Sequence, residues 1–286
     1  MGRSLYETYP AAREIFERAD AALGFSLSAL CFEGPEEALR QTENTQPAIL
    51  TVSIAAWTVL SSRIEAQFAA GHSLGEYSAL VAAGALALED ALRLVRQRGR
   101  YMQEAAPAGQ GAMAALRVHE QEVEPLLKQA AQGEVLAAAN FNAPDQVVVA
   151  GHATAVDRVL QLARGVRLPV SAPFHCELMR PAQLRLSAEL ARLEFRPPRF
   201  PIVNNVRAEI VTEPSALRQG LIDQIPNPVR WTAVIRTLQR AGATQFIEVG
   251  PKNILTGLLK KIDPTAATAR FGEASDEEAL HAVFAR

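Results

Sequence analysis

The chain has 286 residues, 49% of them hydrophobic and 21% charged, a balance that excludes a disordered polypeptide and allows one large domain or a domain carrying an insertion. With 29 basic and 31 acidic residues, a formal net charge of −2, there is no whole-chain field to draw in nucleic acid or anionic lipid. No apolar run approaches the ~20 residues of a membrane helix, the opening MGRSLYETYP lacks a secretion core, and Cys31 and Cys176 stand apart without a disulfide framework or metal-ligand spacing. Free thiols, no metal site and a cytoplasmic location are the expectations.

A first helix is predicted from Pro10, which suits a first turn, through Ile15, Phe16, Ala19 and Leu23 to a stop at Gly24. A second is predicted after Pro47, with Ile49, Leu50, Ile54, Trp57 and Leu60 turned inward. The apolar stretch 67–70 reads as a strand running into Gly71-His72-Ser73-Leu74-Gly75, followed by a helix over 76–83 that Gly84 ends. A long helix over 88–105 carries Leu92, Val95 and Met102 on one face.

Residues 112–171 change character: strand 113–118, helix 120–131, strands 135–139 and 146–150, helix 153–163, strand 166–170. That βαββαβ order is ferredoxin-like, and Asn142-Ala143-Pro144-Asp145 offers turn residues for its middle hairpin. Beyond Pro173 the pattern returns to helix 180–193, an apolar stretch Phe200-Pro201-Ile202-Val203, helix 231–241 and strand 245–249 before Gly250-Pro251. The predicted fold class is α/β. A hydrolase-like large domain with a short parallel sheet, residues 1–110 and 174–286, is interrupted by a ferredoxin-like small domain, residues 111–173.

Gly71-x-Ser73-x-Gly75 between a strand and a helix is the pattern of a nucleophile elbow, a strained turn that exposes the hydroxyl while both glycines allow close backbone approach. The first N–H of the following helix, that of Leu74, can face a developing oxyanion; such a donor is worth ~2.7–4 kcal/mol in other enzymes. A chance match in an ordinary turn is the plainer reading. A serine at its free pKa is a weak nucleophile and needs a base. His72 is adjacent and should point away, while His119, His152 and His281 lie among charged or helix-start residues and read as surface groups. His175 follows Ser171-Ala172-Pro173-Phe174, where the chain re-enters the large domain along the wall of an interdomain cleft. It reads either as the base or as a surface loop histidine.

Gly71-His72-Ser73-Leu74-Gly75-Glu76-Tyr77, Arg98-Gly99-Arg100-Tyr101-Met102-Gln103, Asn140-Phe141-Asn142-Ala143-Pro144, Ala172-Pro173-Phe174-His175, Asn227-Pro228-Val229-Arg230-Trp231 and Glu248-Val249-Gly250-Pro251 follow one another along nearly the whole chain. In order and spacing they resemble the malonyl-CoA:acyl carrier protein transacylases of fatty acid synthesis. The resemblance implies ping-pong transfer through a malonyl-serine: Ser73 attacks the thioester of malonyl-CoA while His175 takes its proton, and His175 then activates the phosphopantetheine thiol of acyl carrier protein. No cofactor is consumed, the coenzyme A thioester and the carrier phosphopantetheine being substrates, and a monomer is implied.

The resemblance also makes the backbone carbonyl of Gln224 the group that orients His175, although by itself this residue reads as a helix-end glutamine. Arg98, 25 residues after the nucleophile, is implied to grip the malonyl carboxylate, where a guanidinium offers a bidentate, charge-assisted clamp. By periodicity it would pass for a solvated residue between Arg96 and Arg100. Met102 lies one turn further along. Gln46 matches a pocket-lining glutamine or is a polar helix start, and Phe174 should crowd α-branched acyl groups, favouring malonyl over methylmalonyl.

Members of this family open with an apolar strand and a Gly-Gln-Gly-Ser-Gln-like loop that supplies a second oxyanion donor; here Met1-Gly2-Arg3-Ser4-Leu5-Tyr6 resembles the segment after it. A missing central strand, exposed apolar sheet edges and one oxyanion donor fewer are therefore expected, from a start assigned too far downstream or from a truncated homologue that only docks acyl carrier protein. Loop 61–67 is shorter than in the family, and Cys176 stands where a serine is common. The rival enzymatic reading is a serine thioesterase or hydrolase, against which Arg98 and the ferredoxin-like insertion argue. Arg230, Lys252, Lys260 and Lys261 are candidates to meet an acidic carrier, although such residues commonly form just a solvated face.

Overall fold

The computed structural model describes residues 1–107, 109–170 and 172–284, the last four by backbone alone. Ser171 and the side chain of His281 lie outside the described residues. Five helices come first: α1 (Arg3–Thr8), α2 (Pro10–Leu23), α3 (Leu27–Glu33), α4 (Glu36–Arg40) and α5 (Thr42–Leu60). Then follow β1 (Ala69–Ala70), α6 (Leu74–Ala82), α7 (Leu88–Glu104), β2 (Gly111–Leu116), α8 (Glu120–Ala131), β3 (Leu136–Ala143), β4 (Gln146–His152), α9 (Ala153–Leu162) and β5 (Gly165–Arg167). The remainder is α10 (Arg180–Leu190), β6 (Ile202–Val203), β7 (Ile210–Val211), α11 (Pro214–Gln224), α12 (Trp231–Arg240), β8 (Gln245–Val249), α13 (Ile254–Ile262), β9 (Ala267–Phe271) and α14 (Glu277–Phe284).

Pro10 opens α2 and Gly24, at φ 73°, ends it, as predicted. The second predicted helix is corrected: α5 starts at Thr42, with Pro47 inside it. Proline there forfeits the bond its own N–H would make one turn back and crowds that carbonyl, although its fixed φ suits a helix. The predicted inward face is also too narrow. Gln46, Pro47, Ala48 and residues 50–56 are buried while Ile49 and Trp57 are half-buried, because α5 packs against α2, α6 and α7 together.

Helix α7 buries Leu88, Ala91, Leu92, Val95, Arg98, Gly99 and Met102. It reaches α5 closely through Gly99, where a Cβ would stand 2.6 Å from the Thr42 carbonyl oxygen and 2.7 Å from Glu43 Cα. This contact brings the start of α5, with Gln46, beside Arg98.

Only Ala69 and Ala70 of the predicted strand 67–70 enter a sheet, pairing parallel with Ile202 and Val203 of β6. The residue before Ile202 is Pro201, which has no N–H to give the ladder; its carbonyl accepts from Ala69 N at 3.0 Å. β6 pairs antiparallel with β7, and β8 runs parallel to β9. Among the described residues the large unit's strands thus form two separate sheets, and the expected exposure of apolar sheet edges is partial, with Phe246, Ile247 and Val249 half-buried.

The small unit is a four-stranded antiparallel sheet in the order β3-β4-β2-β5, the ferredoxin-like arrangement expected. Alternate residues serve its two faces. Ala112, Ala114, Leu116, Val147 and Val149 meet α8 and α9 through Val123, Leu127, Val156 and Val159. Met113, Val148 and Ala150 pack instead with Cys176 and Phe174, so the sheet's second face supports the loop that carries His175. The hairpin turn is shorter than predicted: Asn142 and Ala143 belong to β3, and Pro144 and Asp145 alone make the turn. β3 is extended because its residues also bond the large unit, with Val229 N donating to Ala139 O and Phe141 N to Val229 O, both at 2.9 Å.

Alanine in a helix normally gains about 0.8–1 kcal/mol over glycine. Gly99→Ala should do the reverse, costing about 1–3 kcal/mol by overpacking; a lower urea midpoint at unchanged slope is expected, and a higher one would deny the close approach of α7 to α5.

Candidate active site

Ser73 sits between β1 and α6 at φ 51° and ψ −105°, a conformation that an L-residue keeps only when its surroundings enforce it, at a cost of about 1–3 kcal/mol. Gly71 is obligatory for the turn, since a Cβ there would lie 1.9 Å from the carbonyl carbon of Gly75. Gly75 is a different case from the one predicted: a Cβ would meet nothing within 4 Å, so close approach is a property of Gly71 alone. The turn is held at both ends. Asn205 Oδ1 accepts the Ser73 N–H at 2.7 Å, Asn205 Nδ2 donates to Gly71 O at 2.7 Å, and Gln224 Nε2 donates to Ser73 O at 3.0 Å.

His175, at φ 60°, is buried with Nε2 2.8 Å from Ser73 Oγ. Its Nδ1 donates to the Gln224 backbone carbonyl at 2.9 Å, which fixes the tautomer and leaves the Nε2 lone pair for the serine hydroxyl proton. Gln224 is the last residue of α11, where helix carbonyls lack intrahelical partners. Burial, then the nearby Arg98 charge, push the His175 imidazole down to about 3, against the opposing pull of the Gln224 carbonyl. The ring is neutral and has the form a base requires.

Arg98 is only 2% exposed. Its Nη1 donates to Gln46 Oε1 at 2.7 Å, and its Nη2 donates to Gln224 Oε1 at 2.9 Å and to Ser73 Oγ at 3.0 Å. The guanidinium also stands over Tyr77, 5.3 Å from the ring centroid. The reading of Arg98 as solvated is thereby corrected. A signal was present: spacings of four, three and four place Ala91, Val95, Arg98 and Met102 on one buried stripe of α7.

Ser73, His175, Gln224, Arg98 and Gln46 are thus brought together. Leu74 opens α6; its neighbours' N–H groups, those of Gly75 and Glu76, are taken by His72 O and Ser73 O, leaving the Leu74 donor free of backbone partners among the described residues. Met102 is in the core one turn beyond Arg98, and Phe174 is half-buried between the large core and the small sheet; neither makes a hydrogen bond or ring contact with the cluster.

His72 turns away from the serine, as predicted, with Nε2 2.8 Å from Asn142 Oδ1 and its ring 5.5 Å from that of Trp231. His119 is exposed, whereas His152 is corrected from surface to half-buried, because its Nδ1 accepts the Val135 N–H at 3.0 Å. Both cysteines are free and buried, and burial pushes the Cys176 thiol up to about 11. Among the described residues, no group of three or more His, Cys, Asp or Glu is placed to hold a metal ion.

Two participants were not singled out from the sequence. Asn205 is fully buried under the elbow, and Glu76 Oε2 accepts from Asn205 N at 3.1 Å and from Gln224 Nε2 at 2.8 Å. β6 runs parallel to the strand before Ser73, so the polar pair Asn204-Asn205 leaves the sheet at the same end as the elbow, where α/β ligand sites form.

An acyl transferase domain profile matches residues 1–283. The malonyl CoA-acyl carrier protein transacylase of Escherichia coli is 44% identical over 278 residues, covering 94% of this chain and 90% of the relative. The crystal structure of an acyl carrier protein S-malonyltransferase from Vibrio cholerae superposes with a TM-score of 0.95 at 42% identity, covering 98% of this chain and 94% of that one. A malonyl-transacylase solved in complex with its type II PKS acyl-carrier protein superposes with a TM-score of 0.94 at 40% identity, covering 99% and 94%. The half-buried serine and the buried histidine and arginine therefore belong to a chain that is a member of the malonyl-CoA:acyl carrier protein transacylase family, with its hydrolase-like α/β unit and ferredoxin-like insertion.

Proposed function

We propose that the chain is an S-malonyltransferase that moves malonyl from malonyl-CoA to the phosphopantetheine thiol of acyl carrier protein, in fatty acid biosynthesis, with Ser73 as nucleophile and His175 as base. The names of its relatives support the substrates. The observation that carries the reading is Arg98, a buried cation whose Nη2 is 3.0 Å from Ser73 Oγ. A site for neutral esters gains nothing from a buried guanidinium there; an acyl group ending in a carboxylate gains a charge-assisted clamp.

In the first half-reaction His175 Nε2 takes the Ser73 proton as Oγ attacks the thioester carbonyl, and the oxyanion is met by the Leu74 N–H. Collapse expels the coenzyme A sulfur, which leaves with the proton from His175. In the second half His175 deprotonates the carrier thiol, which attacks the malonyl ester, and the proton returns to Ser73. No cofactor takes part. The malonyl carboxylate has a second effect: once paired with Arg98 it removes one of the causes that depress His175, so the base strengthens when the correct substrate is seated. Gln46 holds the guanidinium from the other side, Met102 lies one turn further along α7, and Phe174, next to His175, is assigned to the acyl side of the site. The exposed Arg230, Lys252, Lys260 and Lys261 suit an acidic carrier. We read the enzyme as a cytoplasmic monomer without nucleic-acid or membrane partners; no helix among the described residues is long and apolar enough to cross a membrane.

Intact-mass measurement after mixing with malonyl-CoA should show a malonyl adduct that Ser73→Ala abolishes, whereas release of free malonate with no adduct would make the protein a hydrolase. Hydrogen bonds to charged groups are worth about 1.5–3 kcal/mol, so Arg98→Ala should slow malonyl loading roughly 10–100-fold relative to acetyl loading; equal losses would remove the clamp. A third expectation concerns pH. An unfolded histidine binds its proton near 6.5 and folded His175 only near 3, so the fold loses stability as pH falls below 6.5. Between pH 7 and 5 the wild type should lose about 2 kcal/mol more than His175→Gln in urea unfolding, and parallel pH curves would contradict the depressed histidine.

A further inference from the structure

We propose that Glu76 is a positioning residue for acyl selectivity, which acts through the side-chain amide of Gln224 to hold the Arg98 guanidinium aimed at Ser73. The proposal rests on the reading of Arg98 as the malonyl clamp. Glu76 lies in the first turn of α6, three residues after the nucleophile, and is only 2% exposed. Among the described residues, the Arg98 hydrogen bonds go to neutral oxygens, those of Gln46, Ser73 and Gln224. The carboxylate facing it is Glu76, one amide away: Gln224 Oε1 accepts from Arg98 at 2.9 Å and Gln224 Nε2 donates to Glu76 Oε2 at 2.8 Å.

An amide has one accepting and one donating end. With a cation on one side and an anion on the other it is stable in a single orientation, its dipole head to tail between the two charges. Turned over, Nε2 would face Arg98 while Oε1 would face the carboxylate and the Ser73 carbonyl, which also accepts from Nε2 at 3.0 Å. Repulsive contacts would replace hydrogen bonds, the strongest of them the one to the charged Glu76. The Asn205 N–H bond to the same carboxylate oxygen, at 3.1 Å, fixes Glu76 in turn. Burial pushes the Glu76 carboxyl up to about 7 against the pull of Gln224, Asn205 and Arg98, so the fold keeps a costly group here and the orienting charge is complete only above neutral pH. An acid near a helix N-terminus also supports the helix, and the test must separate that role from positioning.

Malonyl and acetyl loading rates from the two coenzyme A thioesters are measured on wild type, Glu76→Gln, Arg98→Ala and the double variant. Glu76→Gln is expected to lower the malonyl-to-acetyl ratio about tenfold, the scale of one hydrogen bond to a charge, and to lower it no further in the Arg98→Ala background. Equal losses for both acyl groups, or a full extra loss on top of Arg98→Ala, overturn the proposal and leave Glu76 a support of the helix start. An unchanged ratio in Arg98→Ala itself overturns the clamp and the relay together. If Glu76→Gln does not fold, Gln224→Met keeps the backbone carbonyl and removes only the amide. The same drop in the ratio is then expected, and no drop overturns the relay.

Discussion

Gln224 ends α11, where a helix leaves its last carbonyls without partners, and His175 Nδ1 meets that carbonyl at 2.9 Å. From the same residue the side-chain amide reaches Ser73 O, Glu76 and Arg98. The orientation of His175, the strained elbow and the buried cation thus depend on where one helix stops. A shift of α11 by a single residue would deprive the imidazole of its tautomer-fixing acceptor and the guanidinium of one of its three oxygens. Such coupling explains how a strained serine, a depressed histidine and a buried arginine coexist: each unfavourable group is held by hydrogen bonds from the others.

The two structural units divide the work. The helices α5 and α7, drawn together over Gly99, put Gln46 and Arg98 on one side of Ser73. The small sheet buries one face under its own helices and lends the other to Cys176 and Phe174, which carries the His175 loop toward the serine. The backbone bonds between β3 and Val229, with His72 against Asn142, close the seam beside Ser73. The site therefore forms where the insertion meets the large unit, and catalysis depends on both being folded.

Much of this was legible in the sequence because it follows from local rules. Gly71 around an elbow, Pro10 and Gly24 at helix ends and the βαββαβ alternation all express constraints within a few residues. Three of the six motifs hold Ser73, Arg98 and His175, the family resemblance they carry implied Gln224 and Gln46 as well, and the structure brings those five together. What escaped depends on packing from distant segments. The α5 start was hidden by Pro47, the burial all round α5 by three neighbouring helices, and β1 was shortened by Pro201 in its partner. Asn205 and Glu76 were overlooked because their meaning lies in contacts across 132 and 148 positions of sequence, to Ser73 and Gln224.

The central claim is that Arg98, held between Gln46 and Gln224, receives the carboxylate of an acyl group carried on Ser73. A crystal structure of the malonyl-Ser73 enzyme tests it most directly. The malonyl carboxylate is expected on the Arg98 guanidinium, with the His175–Gln224 carbonyl bond retained. A carboxylate turned to solvent while Arg98 still binds only Gln46 and Gln224 would contradict it.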